Sequence, residues 1–443
     1  MLLFNKYELI GAFTQVVDMV NTNLANHHQR TAYLADQLCR RLDFNKEDHQ
    51  AVIMSALMHD VGVIPLRIKV DDLLYENDLD LHSWSGWMML RDCPVFAREA
   101  ALIRYHHSSW ANIKNLAYDK FTKAKLANVV NLADHLDIVS RSGKKPKEVA
   151  RDLKKETGFA PFYLAAAADL LIDADIFNDL GERAKKMELP QSMDLSISME
   201  DMVIFADVFA ALIDSRSPFT ASHSRSVANI ALYLHKLAGL PKEDAVNIFM
   251  AGLLHDIGKM AVPVELIEKR GRLTSREYEL VCTHAAVSWQ TLSHLPGFHK
   301  VAAWGALHHE RLDGSGYPFG LSGKALPAEA RIMAVADVLA ALTEDRPYRL
   351  GFRPEAAAGI MQNMARSKAL DEDLVSLACK NIDQFSLQLR DLSASTGKVL
   401  NDTSLEGIKE FGHRGQKNAG VPRGLGCDPR AIGADAYAQA AMA

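Results

Sequence analysis

The stretch HHERLDGSGYPFG, His308 to Gly320, sets two adjacent histidines ahead of three glycines and a proline. Upstream lie His223, the pair His255–Asp256, and His284; downstream lies Asp337. Imidazoles and carboxylates in such a set suit borderline first-row divalent ions such as iron or manganese. Seven protein ligands are too many for one catalytic ion that must keep open positions, and they suit two ions sharing a carboxylate. Asp256 follows His255 directly and stands in the middle of the order, so it is the expected bridge. His223, His255, Asp256 and Asp337 would hold the first ion, and Asp256, His284, His308 and His309 the second. Two ions about 3.5–4 Å apart can trap a hydroxide between them and polarise a phosphoryl oxygen. Gly314, Gly316 and Pro318 allow bends that a regular helix cannot supply, which suits the mouth of a substrate site.

The same pattern occurs earlier in the chain. HHQRTAYLADQL (His27–Leu38) matches SHSRSVANIALYL (Ser222–Leu234), with His28 aligned on His223. ALMHDVGVIP, YHHSS and NLADHLDIV match GLLHDIGKMAVP, LHHER and AVADVLAAL in the same order. His28 and His59 are 31 residues apart, against 32 for His223 and His255; His82 and His106 are 24 apart, as are His284 and His308. His107 and Asp134 are 27 apart, against 28 for His309 and Asp337. Four ordered matches at such separations argue for a duplicated domain. The first copy thus has His28, His59, Asp60, His82, His106, His107 and Asp134 at every ligand position. Val63 stands where the second copy has Lys259, and HHSSWANIKN replaces the glycine-rich stretch. A second metal site without substrate contacts fits these residues, with a structural, regulatory or vestigial role. His27, His49, His135, His235, His294, His299 and His413 have no counterpart and read as structural or solvated, and Gly62 reads as helix packing.

The elements that must carry these residues are helices. ADQLCRRLDF, HQAVIMSALMHDV, ALYLHKLAGL and EDAVNIFMAGLLHDI place apolar residues at helical spacing, while alternating β-branched runs are scarce. The expected fold is all-α: two tandem helical domains, at 1–188 and 199–391, joined by a linker at 189–198. The polar stretch Met187–Asp201, with Pro190, marks the break. From Ser393 onward the chain is rich in Gly and Ala and poor in large apolar residues, so residues 392–443 are expected to form a mostly disordered, flexible tail.

Composition bounds the partners. A hydrophobic fraction of 48% and a charged fraction of 24% are ordinary for a globular chain, and a net charge of −5 argues against coating a nucleic-acid polymer. Cys39, Cys93, Cys282, Cys379 and Cys427 form no CxxC pair, which fits a reducing compartment. The N-terminal MLLFNKYELIGAFTQVVDMV is interrupted by Lys6, Glu8 and Asp18 and reads as an amphipathic helix. No stretch approaches the roughly 20 apolar residues of a membrane span. The expected location is the cytoplasm.

HDIGK together with HHERLDGSGYP resembles the HD-GYP family, a branch of the HD phosphohydrolases, and the resemblance covers roughly Ser198 to Arg390. It implies a helical, metal-dependent phosphodiesterase acting on cyclic di-GMP or, in some members, on the mixed cyclic GMP–AMP dinucleotide. Lys259 lies one turn past His255, where a cation would neutralise the scissile phosphate. Tyr317, and Arg346 and Arg349 of DRPYR, correspond to substrate contacts in relatives; guanidinium forks suit phosphate and a tyrosine ring can stack on a base. Asp313 is a weaker candidate for orienting the reaction or donating a proton. Some relatives place a glutamate four residues before the first metal histidine to bind a third ion. Phe219 stands there, so two ions and a linear dinucleotide product are expected. The GYP surface is also a candidate site for protein partners, and the oligomeric state stays open. The rival readings are a non-catalytic signalling adaptor responding to dinucleotide or metal, and a hydrolase of mononucleotides, against which the GYP stretch and RPYR argue.

Overall fold

The structure is a computed structural model and describes residues 4–19, 26–66, 80–116, 124–189, 195–216, 222–269, 271–344 and 351–385. Arg346, Arg349, Phe219, Cys427, His413, residues 190–194 of the linker and the tail at 392–443 lie outside the described residues. The chain divides into two compact units, which among the described residues comprise 5–196 and 197–385, with Phe4 grouped with the second. Both units are helical. The only strands among the described residues are the two-residue β1 (Phe4–Asn5) and β2 (Ser196–Ile197), paired with each other. No described helix is long and apolar enough to cross a membrane.

In the first unit, α1 (Lys6–Asp18) precedes α2 (His27–Arg41), α3 (Lys46–Met58), α4 (Asp80–Leu90), α5 (Ala97–Tyr105) and α6 (Ala127–Ser140). In the second, α7 (Met199–Ser215) precedes α8 (His223–Leu237), α9 (Ala245–Leu254), α10 (Ser275–Ser293), α11 (His299–Ala306) and α12 (Ala328–Thr343). Caps set several starts. Ser198 accepts the Asp201 N–H at 3.1 Å, and Thr274 and Glu277 bond each other's backbone in a capping box that opens the 19-residue α10.

The central helices are α3 and α9. α9 buries Ala245 and every residue from Ile248 to Leu254, and α3 buries every residue from Ala51 to Met58. A helix apolar on all sides has to lie inside its domain. Each ends at its histidine, His59 or His255, and the chain then turns tightly through the following aspartate. Lys259 N–H donates to the Asp256 carbonyl at 2.9 Å, and Val63 N–H to that of Asp60 at 2.9 Å. The glycine two residues after each aspartate lets the turn press against the next ligand helix. A Cβ on Gly258 would lie 1.9 Å from the His284 carbonyl oxygen, and one on Gly62 would lie 1.9 Å from that of His82. Ser288 secures the second unit's turn: its hydroxyl accepts the Gly258 N–H at 3.0 Å and donates to the His255 carbonyl at 2.7 Å.

Gly258→Ala or Gly62→Ala must therefore push backbone from backbone. Each is expected to cost its unit about 1–3 kcal/mol or more, as overpacking does. Urea unfolding checks it, and an unchanged midpoint for either variant would contradict the packing described.

Candidate metal centre

Five elements of the second unit meet around Asp256. His223 opens α8, His255 and Asp256 end α9, His284 stands mid-way along α10, and His308 and His309 follow α11; Asp337 comes from α12. Asp256 is 2% exposed, and its two oxygens face different histidines. Oδ2 lies 3.2 Å from His255 Nε2 and 3.9 Å from His223 Nε2. Oδ1 lies 3.5 Å from His284 Nε2 and 3.8 Å from His308 Nε2. Asp337 closes both sides, with Oδ1 3.1 Å from His223 Nε2 and Oδ2 3.9 Å from His309 Nδ1. All seven residues expected from the sequence are brought together. His223, His255 and Asp256 form one compact ligand group, and His284, His308 and His309 another. His255 Nε2 and Asp256 Oδ1 are buried without a hydrogen-bond partner, as atoms that await a cation would be. The donor set thus fits a pair of divalent ions.

The ring orientations are fixed from behind. His255, His284 and His308 each direct Nδ1 to the carbonyl three residues back, Gly252 at 2.7 Å, Val281 at 2.7 Å and Gly305 at 2.6 Å. A neutral ring that donates from Nδ1 presents the Nε2 lone pair inward. His223 is held differently, by Glu344 Oε2 2.9 Å from Nδ1. The sequence reading assigned no role to Glu344, and its only signal is its place one residue before DRPYR.

Electrostatics separate the histidines. Burial pushes His284, His308 and His309 down, His309 to about 3, and neighbouring imidazoles add to the effect at each. Burial opposes charge on His223 too, but Glu344 and Asp337 outweigh it and raise that ring to about 10. Asp256 is held well below the carboxylate range, against its burial, by His255 and Lys259.

Lys259 forms an ion pair with Asp256 Oδ2, so the expected cation is at the site. Its carbonyl accepts from the buried Arg216. Tyr317 reaches the same place, its ring 4.7 Å from that of His309 and 6.2 Å from that of His284. Burial holds its phenol well above 10, so it stays a hydroxyl. Gly314 has φ +80, a conformation that favours glycine. A Cβ on Gly316 would lie 2.5 Å from backbone atoms of His309, Glu310 and Arg311. Pro318 follows a cis peptide bond. Glu310 was missed by the sequence reading. Buried behind the loop, it accepts the N–H groups of Phe319, Gly320 and Leu321 at 2.7, 3.0 and 3.0 Å.

Two expectations need correction. Asp313 is exposed, and its Oδ1 accepts from Ser315 N at 2.9 Å and Ser315 Oγ at 2.7 Å. These bonds lower its pKa, so it shapes the loop as an ionised carboxylate and is a poor proton donor. The second concerns the first unit. His28 directs Nδ1 to Asp18, whereas His27 Nε2 lies 3.2 Å from His59 Nε2. The counterpart of His28 is Ser224, which bonds Asp214 through its N–H at 3.0 Å and its hydroxyl at 2.8 Å. Helices α2 and α8 both begin at the inward ring, His27 or His223. The spacing held the clue, because His27 and His59 are 32 residues apart, as are His223 and His255. The other six first-unit residues do assemble.

Without ions, the raised His223 ring carries a proton clasped by Glu344 and Asp337. That ion pair stabilises the metal-free fold below pH 6.5 and is lost as the pH rises through about 10. Metal at Nε2 must displace the proton. Binding at pH 7 is expected to release about one proton from this ring and to weaken as pH falls. Proton release into weakly buffered solution checks it, and metal uptake with no release there would contradict the ionisation described.

An HD-domain family model matches residues 207–374, and a second model, also described as HD domain, matches residues 24–139. The chain is 30% identical over 400 residues to a 3'3'-cGAMP-specific phosphodiesterase of Vibrio cholerae, covering 86% of this chain and 93% of that one. It is 41% identical over 150 residues to a cyclic di-GMP phosphodiesterase response regulator of Xanthomonas campestris, covering 33% of this chain and 40% of that one. A crystal structure of another cyclic GMP–AMP-specific phosphodiesterase of V. cholerae superposes with TM-score 0.58 at 20% identity, covering 86% of this chain and 98% of that one, and supports the fold. With matched HD domains in both halves and a relative similar along nearly its whole length, the chain belongs to the HD-GYP family of HD-domain proteins.

Proposed function

We propose that the second unit is a metal-dependent phosphodiesterase that opens a cyclic dinucleotide to the linear form. The observation that carries this reading is Asp256, with one oxygen toward each of two histidine sets and Lys259 beside it. Two divalent ions, iron or manganese for these ligands, would supply Lewis acidity and an activated water when bound. The ligands are His223, His255, Asp256 and Asp337 on one side, and Asp256, His284, His308 and His309 on the other. The chain's own groups do the rest. Lys259 neutralises charge on the scissile phosphate, Tyr317 offers a ring for a base, and Glu310 braces the backbone at Phe319–Leu321, directly after the Gly314–Pro318 stretch. Arg346 and Arg349 are assigned to substrate phosphate by family resemblance.

The catalytic domain is taken as 199–391, linked through 189–198 to a domain at 1–188, with a tail at 392–443. Among the described residues Cys39, Cys93, Cys282 and Cys379 form no disulfide, which supports a cytoplasmic setting. Phe319, 50% exposed beside the GYP loop, suits a protein partner. Cyclic di-GMP is the first substrate of this reading, and the 41% identity to the Xanthomonas phosphodiesterase supports it. A different observation favours the mixed dinucleotide: the relative matched across both units is named as specific for 3'3'-cGAMP.

The test is a product assay. The protein is purified without oxygen, loaded with Fe(II) or Mn(II), and given each dinucleotide separately. Wild type is expected to yield the linear dinucleotide and Asp256→Ala none, while Lys259→Ala should lose roughly 100- to 1,000-fold in turnover. The faster substrate identifies the preference. If neither dinucleotide is cut by a chain with a filled site, the adaptor reading replaces this one.

A further inference from the structure

We propose that the first unit holds a metal centre of its own: a pair of first-row divalent ions bound by His27, His59, Asp60, His82, His106, His107 and Asp134, without hydrolytic machinery. This inference is independent of the activity assigned to the second unit.

Ring nitrogens crowd together here, and His82 Nε2 and His106 Nε2 are closer than their counterparts His284 Nε2 and His308 Nε2, which are 3.5 Å apart. His82 Nε2 lies 3.1 Å from His106 Nε2 and 3.0 Å from His107 Nε2, and His27 Nε2 lies 3.2 Å from His59 Nε2. Two nitrogens about 2.1 Å from one ion and at right angles would stand about 3.0 Å apart. His59 and His106 direct Nδ1 to the carbonyls of Ala56 at 2.9 Å and Ile103 at 2.7 Å, so each ring turns its Nε2 inward. Lone pairs aimed at one small space repel unless a cation or a proton lies between them. His82 Nδ1, on the far side of its ring, is buried without a hydrogen-bond partner.

Asp60 supplies the bridge. Its Oδ2 lies 3.3 Å from His59 Nε2 and 3.6 Å from His27 Nε2; its Oδ1 lies 3.3 Å from His82 Nε2 and 3.9 Å from His106 Nε2. Asp134 Oδ1 lies 3.4 Å from His27 Nε2 and 3.7 Å from His59 Nε2. Two buried carboxylates require compensating charge, and Val63, buried and apolar, stands where the second unit places Lys259. An outer group is present as well. Asp137, fully buried, lies 2.8 Å from His27 Nδ1 and accepts from Arg30 and Arg141, each at 2.6 Å. Such partners orient a ligating histidine.

Hydrolysis is a different matter. After His107 the chain forms the short helix Trp110–Ile113 in place of a glycine loop, and Trp110 packs 5.4 Å from the Phe162 ring and 5.8 Å from that of Tyr163. That segment is committed to packing and shapes no substrate mouth.

The test counts metal on the full chain, loaded with Mn(II) without oxygen and freed of excess ion. Wild type is expected to hold about four ions, the His255→Ala/His308→Ala variant about two, and the His59→Ala/His106→Ala variant about two. Two ions in wild type and none in His255→Ala/His308→Ala would overturn the proposal. Hydrogen exchange of unmutated protein with and without Mn(II) guards against misfolded variants: peptides spanning Ala97–His107 should gain protection, and no gain there would also count against the proposal. Turnover is read separately. Four ions without hydrolysis would remove only the catalytic reading of the second unit, and hydrolysis with two ions would remove only this one.

Discussion

A negative charge kept from water organises each unit. Asp256 is 2% exposed and remains ionised against its burial, so the surrounding helices have to supply what water would have given. They do so with four inward imidazoles and one ammonium, from separate elements. Much else follows from that need. The central helix stops where it does so that His255 and Asp256 share a turn, and Gly258 lets the turn press against the helix that carries His284. Three rings are locked by carbonyls of their own helices, which leaves few arrangements in which their nitrogens do not converge.

The first unit repeats this scheme and solves one detail differently. Asp137, one turn after Asp134, faces the outer nitrogen of His27. Ala340 occupies the equivalent place after Asp337, and Glu344 reaches His223 from the following turn. A longer side chain from a later turn thus meets the same geometric demand. The units part company at the lysine and at the segment after the paired histidines. Those are the places where a ligand cluster differs from a cluster equipped to handle a phosphodiester.

Much of this could be read from the sequence, for physical reasons. Histidine and aspartate repeated at matched separations are hard to explain by packing, so the ligand set emerged twice. Helical spacing of apolar residues gave the fold class. The mistake at His28 came from two adjacent histidines, only one of which can face inward at the start of a helix; a one-residue slip separates them, and only the spacing to His59 distinguishes them. Glu310, Glu344 and Ser288 escaped notice because their roles depend on backbone groups and rings brought close by folding. Asp313 attracted attention as a carboxylate near the site, but its exposure is a tertiary fact, and its bonds to Ser315 are those of a local turn that the Asp-Gly-Ser run could have suggested.

The carboxylate of Glu310 gathers three consecutive amide hydrogens of the GYP loop. The loop's conformational freedom is thereby lost when the chain folds and not when a ligand arrives. An incoming dinucleotide meets a surface already shaped, so discrimination between bases falls to fit against fixed walls, and changing which base is preferred means replacing wall residues while this internal brace is left alone.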